Sequence, residues 1–324
     1  MEHYVTLFDS NYILQGMALH RSMERHAGPY CLWIICLDDE LYEVLDLVNL
    51  ENVKLLKLSD LETPELKEAK KNRNRAEYCW TLTPYAPRFI FEVDRSISQV
   101  TYLDADLWFR KNPNKIFEEF GSTGKSVLIT DHAYAPEFDR SATSGQYCVQ
   151  FMTFKAEVSE NVRKWWEERC IEWCYARFED GKFGDQKYLD DWPERFSKEV
   201  HVLGNKELLL APWNATRFPY GNAICWHFHE LQIGIKSDFI TAQYGPYPIP
   251  RPSRINIYDL YTNDLKEVLT DEIITNFISK TFIKNNKKIT YGVKQLLQNV
   301  ALTIRNNLYP EKYDRNQLIK LKKI

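Results

Sequence analysis

A chain of 324 residues, 44% of them hydrophobic, is long enough for one large α/β domain with a substantial core, or for such a domain with an appendage. Its net charge of −3 is unevenly spread: residues 280–324 hold eleven Lys/Arg against two acids, Glu311 and Asp314, which leaves an acidic body. That body argues against a nucleic-acid-binding module, whose mark is a basic face. Also, no apolar run approaches the roughly 20 residues of a membrane span.

Seven cysteines (31, 36, 79, 148, 170, 174 and 225), odd in number and without a C-x-x-C pair, point to reduced thiols in a reducing compartment. Strand-like sequence begins at residue 4 with no charged and apolar leader before it. A cytoplasmic protein is expected, at most peripheral at the inner face of a membrane. Aromatics make up 14% of the chain, a supply that suits carbohydrate stacking and core filling alike.

In chain order, residues 4–8 read as a strand, and Ser10 is placed to cap a helix that turns Leu14, Met17, Ala18 and Leu19 inward. YCLWIICL, residues 30–37, is too short for a buried helix and reads as a buried strand. Residues 53–58 form another, with Ser59 or Thr63 as caps for a charged helix through Ala76. A helix over 81–93 precedes a strand over 99–103 that ends at Asp104. This β-α-β-α-β alternation predicts a mostly parallel sheet with helices on both faces, whose ligands bind beyond the carboxyl ends of the strands. Further strands are expected over 127–130, 147–154 and 223–228, and a Trp-rich helix over 158–178. Beyond Ile255 the pattern turns helical and basic, with Val293, Leu296, Leu297 and Val300 spaced for one apolar face. The expected division is a domain over 1–250 and a helical basic extension over 251–324. The extension either lies on a membrane surface or packs on the domain with its charges solvated.

The chemistry centres on QVTYLDADLWF, residues 99–109. A hydrophobic strand ends in two carboxylates at i and i+2, which in extended backbone face the same way and can share one cation. Carboxylate oxygens suit Mg²⁺ or Mn²⁺, which keep open positions for substrate phosphate oxygens. A solvated pair of acids at a strand end is the plain alternative. The apolar flanks and the buried strand before the motif favour the metal.

With this motif the sequence resembles the GT-A nucleotide-diphospho-sugar glycosyltransferases. It is most similar to the retaining enzymes of glycosyltransferase family 8, in a bacterial branch used for surface polysaccharide assembly. The resemblance spans roughly residues 1–240 and rests on four segments. VTLFDSNYILQGMALHRSM resembles the family's opening strand and D-x-N-Y loop. It implies that Asp9, Asn11 and Tyr12 bind the donor, with Tyr12 stacking on uracil and Asp9 or Asn11 meeting its imide edge. YLDADLWF implies Asp104 and Asp106 as donor and metal ligands. FGDQKYLDDW, residues 183–192, is similar to the family's D-Q segment near the anomeric carbon, which implies catalytic roles for Asp185 and Gln186. A helix cap is the alternative for Asp185. WHFHELQIG, residues 226–234, implies His227 as the third metal ligand, with His229 as the fallback. Where the family carries a diphosphate-binding Lys, Ile233 stands; Lys236, Arg73, Arg75 or Arg88 are the basic candidates. The family's asparagine strand is represented by GQYCVQFMTF, with Gln146, Cys148 and Gln150 as loose equivalents.

Asp131 and His132 end a strand, and Trp213 and Asn214 occupy a loop. These suit contact with acceptor or sugar hydroxyls, although a buried Trp is the commoner outcome. The resulting expectation is a UDP-sugar donor, a saccharide or lipid-linked acceptor, and Mn²⁺ or Mg²⁺. Two other readings compete. A haloacid-dehalogenase-type sugar phosphatase also places D-x-D after a strand, but carries Thr or Val where Trp108 stands. A non-catalytic nucleotide-sugar-binding protein is the third.

Overall fold

A computed structural model describes residues 1–218, 221–236, 238–284 and 318–323. The chain forms two compact units. The first comprises Met1–Asp9, Ala27–Ala105 and Asn112–Lys206, and the second Ser10–His26, Asp106–Lys111 and Glu207–Ile324.

The first unit is built on a seven-stranded sheet of β1 (Glu2–Phe8), β2 (Tyr30–Cys36), β3 (Val53–Lys57), β4 (Gln99–Leu103), β6 (Val127–Asp131), β7 (Tyr147–Lys155) and β8 (Val200–Val202), in the order β3-β2-β1-β4-β7-β6-β8. The run β3-β2-β1-β4 is parallel, β7 is antiparallel to both neighbours, and β8 is parallel to β6. Every residue of β2 is buried, as a continuous apolar run covered on both faces requires. One core packs Val5, Trp33, Val100 and Tyr102 against Tyr85, Phe89 and Ile90 of the helix Tyr85–Val93. A second packs Ile129, Met152 and Phe154 against Val162, Trp166 and Cys170 of the helix Glu160–Glu172. The strand order reverses between β1 and β4, which makes that edge the sheet's switch point, where open α/β sheets bind ligands.

The second unit carries the helix Ile13–His26, whose Leu14, Met17, Ala18 and Leu19 are buried as the spacing requires. It also holds a small sheet of β5 (Leu107–Phe109), β10 (Cys225–His227) and β9 (Leu209–Leu210). A third sheet orders β11 (Gln232–Lys236), β12 (Phe239–Gln243) and β13 (Leu318–Lys323). Helices Asp259–Val268 and Glu272–Lys284 follow the expected helical turn of the chain after Ile255.

Four expectations change. The charged helix through Ala76 is two helices. Thr63 caps Pro64–Lys70, and a capping box of Asn74 and Glu77 restarts the chain as Arg75–Leu82. The helix over 81–93 begins only at Tyr85, because Pro84 has no N–H to continue the preceding helix. The Trp-rich helix stops at Glu172, where Trp173 turns extended and Cys174 enters the core. The tail is not helical throughout: Leu318–Lys323, with Ile319 and Leu321 alternating with Lys320 and Lys322, pairs antiparallel to β12. Val293, Leu296, Leu297 and Val300 lie outside the described residues. All seven cysteines are free thiols.

One buried charge makes the fold sensitive to pH. Burial pushes the Glu167 carboxyl up to about 7, although Arg88 donates to it at 3.2 Å. Arg88 is 35% exposed and shared with Glu92 at 2.7 Å, so water screens its charge while the carboxylate has lost its own hydration. A carboxyl whose pKa is raised by folding holds its proton more tightly in the native state. Stability therefore falls as pH rises from about 4.5 to about 7, by at most about 1.4 kcal/mol per pH unit. Denaturant titrations of Glu167→Gln across this window are expected to show that slope flattened; an unchanged slope would assign the pH dependence elsewhere.

Candidate metal centre

The site grows from the carboxyl ends of parallel strands. β1 delivers Asp9, β2 leads to Asp38 and β4 to Asp104, so three acids stand at one edge of the sheet. Arg75 answers two of them: it is ion-paired with buried Asp9 and lies 3.4 Å from Asp38. It thereby stands apart from the other basic candidates. Arg73 donates to Asn72 and to the Ile171 carbonyl and lies over the Tyr175 ring. Arg88 is held by Glu92 and Glu167, and Lys236 is an exposed residue at the end of β11. Asn11 and Tyr12 follow in a tight turn, Ser10–Tyr12, with Tyr12 42% exposed.

Asp104 is fixed from two directions. Its N–H donates to the Gln150 carbonyl of β7 at 3.0 Å, and the buried Tyr102 hydroxyl donates to its Oδ1 at 3.0 Å. Burial, and then the Asp104 charge, raise the Tyr102 phenol well above its ordinary value, so it remains a proton donor.

Asp106 opens β5, which pairs antiparallel with β10 so that Leu107 faces His227. The Phe228 N–H donates to the Asp106 carbonyl at 2.9 Å and closes that turn. His227 Nε2 then lies 2.9 Å from Asp106 Oδ1. Burial alone would raise the Asp106 carboxyl; the charge and hydrogen bond of His227, with His229 adding to them, outweigh it and hold the group below its ordinary value. His229 is the more exposed imidazole, 3.6 Å from Glu230, so the strand gives the buried position beside Asp106 to His227.

Asp104, Asp106 and His227 each offer one ligand atom, and these atoms all lie within 4.8 Å of one another. Atoms sharing a cation at about 2.1 Å stand at most about 4 Å apart. Two carboxylates and an imidazole fit Mn²⁺ or Mg²⁺ and leave coordination positions for phosphate oxygens.

Asp185 is buried, and it makes no capping bond to the turn Gln186–Asp191 that follows, so the helix-cap reading does not hold. Burial, and next the charge of Asp104, push its carboxyl up to about 8. Gln186 Nε2 donates to the Ser144 carbonyl at 2.7 Å. Gly145, at φ 107°, lies so close to this turn that an added Cβ would meet Asp190 Oδ1 at 3.3 Å and the Gln186 carbonyl at 3.4 Å. The loop thus grips the D-Q segment.

The other sugar-contact candidates are engaged internally. Asp131 accepts from Lys206 at 2.7 Å, from the Ala133 N–H at 2.7 Å and from Gln146 at 3.2 Å. His132 is buried, stacked on Tyr134, with Nδ1 3.1 Å from the Gln146 carbonyl. Asn214 accepts from the Ala211 N–H at 3.0 Å. Trp213 is 4% exposed and packs edge-on against His227 and His229, at 5.4 and 5.2 Å between ring centres. The ring thus packs beside both imidazoles. Sequence reading found these residues but missed Tyr102, whose only signal was its place two residues before Asp104 on one strand face.

No family model matches the chain. It is 31% identical over 297 residues to the uncharacterized protein YfnD of Bacillus subtilis (strain 168), covering 85% of this chain and 92% of YfnD. It is 31% identical over 272 residues to YfnF of the same organism, covering 81% and 87% respectively. The chain belongs to the YfnD and YfnF family. Among solved structures, it resembles the galactosyltransferase LgtC, determined in complex with donor and acceptor sugar analogues. The TM-score is 0.54 at 12% identity, over 82% of this chain and 95% of LgtC. It also resembles the bifunctional glycosyltransferase WbbM, with a TM-score of 0.50 at 13% identity, over 82% of this chain and 49% of WbbM. At such identities the likeness is one of fold: this YfnD relative has the GT-A type of mixed, mostly parallel α/β architecture.

Trp213→Ala is expected to destabilise the protein by about 3–5 kcal/mol, the cost of emptying a large buried aromatic site, measured by denaturant unfolding. A loss below about 1 kcal/mol would mean that the ring does not support the imidazoles as described.

Proposed function

We propose that the chain is a metal-dependent glycosyltransferase. In this reading it moves a sugar from a UDP-sugar to a saccharide or lipid-linked saccharide acceptor, with retention, in cell-surface polysaccharide assembly. The observation that carries the reading is the Asp104–Asp106–His227 cluster at the carboxyl end of β4 in a chain with the fold of LgtC.

Asp104, Asp106 and His227 hold the cation. Bound Mn²⁺ or Mg²⁺ supplies positive charge against the diphosphate as it leaves. Asp9 or Asn11 meets the imide edge of uracil, and the exposed ring of Tyr12 stacks on the base. Arg75 provides the basic charge that the family's lysine supplies elsewhere, since it already stands at Asp9. Asp185 and Gln186 line the transferred sugar, and Gln186 steadies the oxocarbenium-like centre. An acceptor hydroxyl attacks from the face the diphosphate leaves, and the departing phosphate takes its proton. Residues 1–250 carry this chemistry, while the basic residues of 280–324 draw the chain towards anionic headgroups where lipid-linked acceptors lie. Among the described residues no helix is long and apolar enough to cross a membrane.

A panel of nucleotide sugars monitored for UDP release is the direct test. Turnover is expected with Mn²⁺, lost in EDTA and restored by added metal. One charge pair at about 4 Å is worth roughly 4 kcal/mol at an effective dielectric near 20, so Asp106→Ala is expected to lower turnover about a thousandfold. Full activity in that variant, or in EDTA, would overturn the metal-dependent assignment.

A further inference from the structure

Two residues before the first acid of the D-x-D motif, Tyr102 faces the same side of β4 as Asp104. Its ring is 4% exposed and belongs to the core cluster that includes Val5, Tyr85, Phe89 and Val100. Backbone pairing holds it on both edges, with Val5 of β1 on one side and Met152 of β7 on the other. From that anchored position its hydroxyl donates to Asp104 Oδ1 at 3.0 Å.

A carboxylate at a strand end rotates freely about χ2 unless something fixes it. The Asp104 N–H bond to Gln150 fixes the backbone but not the carboxylate. The phenol does the second task. We propose that Tyr102 is a positioning residue for the metal: its bond to Oδ1 sets the rotation of the Asp104 carboxylate so that the cation meets a preformed ligand. This rests on the reading of Asp104, Asp106 and His227 as the metal site, and it adds to that site a residue touching neither metal nor substrate. Outer hydrogen bonds of this kind hold ligands in place, and their loss costs about 10- to 100-fold in metal affinity.

The experiment is Mn²⁺ binding by electron paramagnetic resonance, on wild type, Tyr102→Phe, Asp104→Asn and the double variant, without nucleotide sugar. Phenylalanine keeps the ring and removes only the donor, and thermal unfolding in EDTA checks that the metal-free fold survives. The expected result is that Tyr102→Phe weakens Mn²⁺ binding about 10- to 100-fold with little change in metal-free melting temperature. Once Asp104 is Asn, Tyr102→Phe should have no further effect. Wild-type affinity in Tyr102→Phe overturns the inference and leaves the metal site standing, as does an equal loss in both backgrounds. If Tyr102→Phe melts early, Phe89→Leu, in the same core cluster and without a hydrogen-bonding group, serves as a stability-matched control. An affinity loss reproduced in Phe89→Leu at the same melting temperature is a general effect of loosening the core and overturns the specific role. Absence of Mn²⁺ binding by wild type ends the metal reading itself.

Discussion

The contact on which the rest of the site depends is the one between Asp106 and His227. The two are 121 positions apart and meet because β5 and β10 pair with Leu107 opposite His227. Burying a carboxylate is unfavourable unless opposite charge and hydrogen bonds compensate, and here the imidazole supplies both. The surrounding elements keep that pairing in register. The Phe228 N–H closes onto the Asp106 carbonyl, Trp213 walls the imidazoles, and the Trp108 indole donates to Asp264 at 2.7 Å. Asp264 also pairs with Arg25 of the helix Ile13–His26, so the short strand after the D-x-D motif is fastened by a charged contact as well as by its ladder.

The same edge gathers acids that repel one another. Asp9, Asp38 and Asp104 follow from three parallel strands, and Asp185 lies near the last of them. Each is managed differently. Arg75 neutralises Asp9 and Asp38 from an exposed position. Tyr102 gives Asp104 a hydrogen bond at 3.0 Å. Asp185, buried and facing that charge, instead retains its proton to about pH 8.

Much of this was legible in the sequence because its cause is local. The alternation of strand and helix, the continuous apolar run of β2, and two carboxylates at i and i+2 after a buried strand follow from backbone periodicity. Thr63 as a cap and the inward face of the helix after Ser10 were legible for the same reason. Helix lengths were less so. Pro84, the Asn74–Glu77 capping box and the extended Trp173 interrupt patterns whose hydrophobic spacing runs on regardless.

The sequence by itself determined the α/β class, the strand that ends in the D-x-D pair and the resemblance that singled out His227, since each is read from patterns that run along contiguous stretches of chain. Only the tertiary structure decided which histidine meets Asp106, that the Tyr102 hydroxyl reaches Asp104, that the Trp213 ring packs beside both imidazoles and that Arg75 pairs with Asp9. It also decided that Leu318–Lys323 joins a sheet. The physical reason is that hydrogen bonds, ring contacts and ion pairs form between groups close in space, and chain periodicity carries no information about which distant segment supplies the partner.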